Sequence, residues 1–168
     1  LPENYQIACA LPFYEDKHGL LAESFYELVD SPLIASPSLQ HKTYKSEGEN
    51  CEFHIWIQGA WQPDWEKVIS QFQAFTKIQI ELFGDFPCKE YHFIYQILPY
   101  QHYHGVEHRH STVMTLGQDY KMDGELYSEF LGVSSHELFH TWNVTRIRPK
   151  EMSPYQFDKE TITKTGFV

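Results

Sequence analysis

A chain of 168 residues with 42% hydrophobic and 21% charged side chains can bury a core, and its 16% aromatic content separates it from disordered tails, collagen and coiled coils. Thirteen Lys plus Arg against 23 Asp plus Glu give a net charge of −10, which repels phosphate backbones and argues against nucleic acid as a partner. No apolar run reaches the length of about 18 residues that a bilayer-spanning helix needs, so no membrane span is expected.

The first sixty residues carry strand periodicity. Tyr5, Ile7, Cys9 and Leu11 alternate with Gln6, Ala8 and Ala10, and Phe53, Ile55 and Ile57 alternate with His54, Trp56 and Gln58 before Gly59. Between them, Ser31-Pro32 and Ser36-Pro37-Ser38 are turn chemistry, and Ser46–Asn50 reads as an exposed hairpin tip. An antiparallel sheet is expected here. Beyond Gly59-Ala60-Trp61 the period changes. Asp64 can cap a helix that carries Trp65, Val68, Ile69, Phe72 and Phe75 on one face, and Gly84 and Pro87 end it. Tyr91–Leu98 and Ser111–Leu116 are strands. A last helix is expected from a capping Asp123 to Val144 or Thr145, bounded by Pro149. Strands first, then helix, strand, strand, helix, is an α+β order.

Six of the ten histidines fall between 102 and 140. In His136-Glu137-Leu138-Phe139-His140 the two imidazoles are just over one helical turn apart, so both project from one face and can share a cation. Zn²⁺ accepts neutral imidazole nitrogen, which makes zinc the expected cofactor. Glu137, off the ligand row, is placed to take a proton from a zinc-bound water as general base. Upstream, Gly105-Val106-Glu107-His108-Arg109 supplies a carboxylate that can hold a substrate's α-ammonium group, which favours an aminopeptidase over an endopeptidase. His108 is expected to line the substrate site. His102, His104 and His110 read as a wet loop near the cleft. Arg109, Arg146 and Arg148 read as pins for a helix end or a carboxylate. Cys9, Cys51 and Cys88, odd in number and far apart, read as small hydrophobes.

His136 to Pro149 resembles the signature of the glycyl aminopeptidase family, zinc metallopeptidases of the thermolysin-like (gluzincin) type that usually carry a PDZ domain downstream. Gly105-Val106-Glu107-His108-Arg109 with Ser111-Thr112 is similar to that family's exopeptidase segment. The resemblance implies that residues 1–60 end an N-terminal β-rich domain and that 61–168 begin a zincin catalytic domain. It implies a zinc-dependent aminopeptidase acting on peptides with a free N-terminal Gly or Ala. His136 and His140 would be metal ligands, Glu137 the catalytic base, and Glu107, Gly105 and His108 substrate-binding residues. The family's third ligand is a Glu on the next helix, and this chain ends at Gly166-Phe167-Val168, just short of it. A fragment of a longer chain, itself inactive, is therefore expected. Glu160 matches the spacing of thermolysin's third ligand, although the family has an acidic residue near there besides its true ligand. The competing reading is a non-catalytic peptide-binding module with an incomplete zinc site.

Overall fold

The computed structural model describes residues 2–14, 19–46 and 51–152. Its centre is a five-stranded sheet built from β5 (Leu39–Lys45), β6 (Glu52–Gln58), β7 (Glu90–Leu98), β8 (His102–Glu107) and β9 (Ser111–Gly117), in the order β5-β6-β7-β9-β8. β5–β6 and β8–β9 pair antiparallel, while β6–β7 and β7–β9 pair parallel. A parallel pair needs a crossover, and α2 (Trp65–Phe83) supplies it between β6 and β7. α3 (Glu125–Phe139) follows β9. Two small antiparallel pairs precede the sheet, β1 (Gln6–Ala8) with β4 (Ile34–Ser36) and β2 (Phe13–Tyr14) with β3 (Gly19–Leu20), and the short helix α1 (Phe25–Val29) lies between them.

Alternation along β6 sends Phe53, Ile55 and Ile57 into the core under the helices and turns His54 and Trp56 to the other face. β7 is covered on both faces: Tyr91, Phe93, Ile94 and Tyr95 are fully buried, as befits a central strand. Ile94 joins Ala8 and Leu39 beneath the first strands, and Phe93 belongs to the main core. α2 starts on the Asp64 carboxylate, which accepts from the Lys67 amide at 3.2 Å, and stops at Gly84, whose φ of 89° suits glycine. Its buried row, Val68, Phe72, Thr76 and Ile80, faces the sheet. Phe72 sits at the three-way contact of α2, sheet and α3, with ring centroids 5.1 Å from Phe93 and 5.5 Å from Phe130. Phe72→Ala is expected to cost about 3–5 kcal/mol of stability, read from a denaturant midpoint.

Several expectations change. The sheet runs across the 60/61 boundary, since β6 on one side pairs directly with β7 on the other. Within the first sixty residues the antiparallel expectation holds for all three strand pairs, β1–β4, β2–β3 and β5–β6, but they lie in three separate sheets, and β6 then pairs parallel with β7. At the N-terminus just Gln6–Ala8 are strand, and Ala8 rather than Tyr5 is buried. Ser46 is buried, and the remainder of that expected hairpin tip lies outside the described residues. Asp123 does not cap α3: it accepts from the Trp61 indole N–H at 2.8 Å, a long-range bond that competes with the cap, and Gly124 takes the cap position. α3 ends at Phe139, and the chain continues in tight turns that run on to Ile147.

Candidate metal centre and peptide site

Three polar contacts set the roll of α3. Gln79 of α2 donates to the Ser135 carbonyl at 2.8 Å, the Tyr95 and Ser134 hydroxyls meet at 2.6 Å, and beyond the helix the Trp142 indole donates to the Asp85 carbonyl at 3.1 Å. Arg146 adds a bond to the Pro87 carbonyl and an ion pair with Asp85, so it pins the helix end as expected. With the helix so fixed, His136 and His140 face each other, ring centroids 4.7 Å apart and planes at 89°, their Nε2 atoms 3.1 Å apart.

The tautomer of His140 follows from its other nitrogen. Nδ1 lies 2.7 Å from the Asn143 carbonyl, which can only accept, so Nδ1 carries the proton and Nε2 presents a lone pair toward His136. That is the form a metal needs. Ligating atoms of Glu107, Glu137 and His140 lie within 4.8 Å of one another. An imidazole and two carboxylates gathered in this way are donor types that fit a divalent cation. Glu160 and the terminal Gly166–Val168 lie outside the described residues.

Glu137 is 5% exposed, and its Oε2 is buried without a hydrogen-bond partner. Burial raises its pKa and the Glu107 charge adds to that, while His140 and His108 oppose it. Its other oxygen packs against Gly105 so closely that a Cβ there would stand 2.8 Å from the Glu137 Cδ. Gly105 is thus glycine because the carboxylate occupies the space. β8 is the sheet's edge strand rather than a loop, and it lays Gly105 and Glu107 alongside α3. His102 and His104 are exposed on it. His108 turns away from a simple lining role: its Nδ1 lies 3.0 Å from the Asp30 Oδ1. Asp30, at the end of α1, carried no signal in the sequence, because its partner is 78 residues distant.

A second histidine group lies on the sheet's other face and was not anticipated. His54, Glu90 and His92 bring ligand-type atoms within 4.8 Å, and His54 and His92 stack at 4.3 Å. Here the tautomer runs the opposite way. The Trp56 indole can only donate, and it meets the His92 Nδ1 at 3.1 Å, so the neutral His92 ring keeps its proton on Nε2. Burial and the neighbouring His54 and His41 press the His92 pKa down to about 3. In this array the His92 Nδ1 lone pair is taken up by the Trp56 indole, whereas the His140 Nε2 lone pair faces His136. Cys9 and Cys51 are buried, and burial pushes the Cys88 thiol up to about 11, so all three behave as hydrophobes.

Residues 129–168 match the sequence model of the M61 glycyl aminopeptidase family. No curated protein sequence matches the chain. Among solved structures, an aminopeptidase N family protein from Idiomarina loihiensis aligns over 93% of this chain and 28% of its own, with 25% identity and a TM-score of 0.78. An M1 zinc metallopeptidase from Deinococcus radiodurans aligns over 84% of this chain and 32% of its own, with 15% identity and a TM-score of 0.52, a likeness of fold. The chain thus spans about a third or less of these relatives. The resemblance read from the sequence stands: residues 129–168 match the glycyl aminopeptidase family in sequence, and the mixed α/β fold of the described residues is similar to that of an aminopeptidase N family protein.

Proposed function

We propose that these residues form the zinc-holding and amine-anchoring part of an aminopeptidase that removes N-terminal Gly or Ala from peptides. The observation that carries this reading is the convergence of two facing imidazoles with the Glu107 and Glu137 carboxylates at one place between α3 and β8. Zinc, when bound by His136 and His140, supplies Lewis-acid polarisation of the scissile carbonyl and acidifies the attacking water. Glu137, shielded and without a partner on Oε2, accepts the proton of that water and returns it to the departing amine. Its raised pKa makes it a better acceptor than an exposed carboxylate. Glu107 sits close enough to Glu137 to repel it, and a substrate ammonium group beside Glu107 relieves that repulsion. The free N-terminus is then both recognised and held one residue from the reacting bond. In support, a variant of the Deinococcus radiodurans enzyme, with a TM-score of 0.51 to this chain, is known bound to a Tyr-Ser-Ala substrate.

In the zinc-loaded complete enzyme of which these residues are part, the protein meant in every activity test below, Glu107→Ala is expected to lower kcat/KM for a free Gly-peptide about 10- to 100-fold, the loss of a charge-assisted bond, while the N-acetylated peptide changes less than about twofold. Equal losses on both substrates would remove the amine-anchoring role. Zinc analysis of the same protein separates the enzyme from a peptide-binding module, which would hold no metal under zinc saturation.

A further inference from the structure

The geometry points to Asp30 as a positioning residue of the peptide site, holding the Glu107 end of β8 in place through His108 and the Arg109 backbone. This deepens the aminopeptidase reading and rests on it for its functional arm. Both carboxylate oxygens of Asp30 are engaged at the corner that follows Glu107. Oδ1 lies 3.0 Å from the His108 Nδ1, and Oδ2 accepts from the Arg109 amide at 3.0 Å. The corner is otherwise closed by the His108 amide donating to the Ser111 carbonyl at 2.9 Å and by the Thr112 hydroxyl donating to the Val106 carbonyl at 3.0 Å.

Asp30 closes α1. Its amide donates to the Tyr26 carbonyl at 3.1 Å at the end of α1, and Ser31-Pro32 follows. The side chains of His108 and Asp30 are 18% and 24% exposed, so the pair is partly shielded from competing water. A carboxylate on Nδ1 fixes which nitrogen of a ring faces onward, the device by which outer residues orient working histidines. The contact also ties the segment before β4 to the edge strand, 78 residues later in the chain. Nothing in the composition of α1 calls for an acid at its end, where the exposed helix carbonyls disfavour a negative charge.

The test uses Asp30→Asn, which keeps the shape but leaves one acceptor oxygen where two are used. Amide hydrogen exchange at Arg109 is expected to quicken at least about tenfold, with the thermal midpoint nearly unchanged. In the zinc-loaded protein, the preference for a free Gly-peptide over its N-acetyl counterpart is expected to fall about tenfold, through KM more than kcat. Unchanged exchange at Arg109 overturns the proposal outright. So does an intact preference in Asp30→Asn when Glu107→Ala abolishes it. If Glu107→Ala itself leaves the preference untouched, the amine-anchoring reading has failed, and exchange at Arg109 alone decides whether Asp30 holds the corner.

Discussion

Glu137→Gln is expected to leave bound zinc unchanged and to lower kcat on a Gly-peptide by about 10²–10⁴-fold, the range of a lost general base. Gln has the same shape, so the packing against Gly105 and the facing of His136 and His140 persist. What disappears is the ability to accept a proton. The same change should not lower the thermal midpoint at neutral pH. Burial and the Glu107 charge both work against the ionised Glu137, and a neutral amide escapes both. A site residue that costs stability is the pattern expected where function sets the choice. Zinc content, turnover and melting temperature of one variant thus give three readings. Undiminished turnover with zinc in place would end the assignment of Glu137 as base.

The parts of the fold legible in the sequence are those where one strong local pattern points one way. α2 has an acidic cap, a helical row of apolar residues and a terminal glycine. β6, β7 and β9 have dense β-branched and aromatic runs. β5 was missed for a physical reason: as an edge strand it buries only Leu39 and Tyr44, one toward each face, so no periodicity survives. Asp123 met a competitor outside its own segment, the Trp61 indole, that no local rule includes. The facing of His136 and His140 was legible because four residues of helical backbone, the last of them the C-cap of α3, bring both rings to one face. The tautomer of His140 was not, since it depends on the Asn143 carbonyl in the irregular turn past Phe139. The same limit hid Asp30, and it hid the His92 stack, whose members come from three strands. The change of periodicity at Trp61 marks the start of the crossover helix between β6 and β7, and one sheet includes strands from both sides of it.

Gly105→Ala tests whether edge strand and helix work as a unit. A methyl group there would lie 2.8 Å from Cδ and 3.1 Å from Cγ of Glu137, and nearer still to Oε1. The backbone of β8 is held by its pairing with β9, so the carboxylate must move. Because Glu137 is 5% exposed, it has little room in which to do so. The cost to folding is that of a modest overpacking, about 1–3 kcal/mol. The cost to turnover is larger, since displacing a reacting group by about 1 Å can lose on the order of 10²-fold. Zinc binding by His136 and His140 is expected to persist. The decisive comparison is the double variant: once Glu137→Gln has removed the base, adding Gly105→Ala should reduce kcat by less than about threefold further, because both changes strike one function. If the two losses multiplied instead, Gly105 would be acting on the substrate directly, and its absent side chain would be room for the peptide rather than for the base.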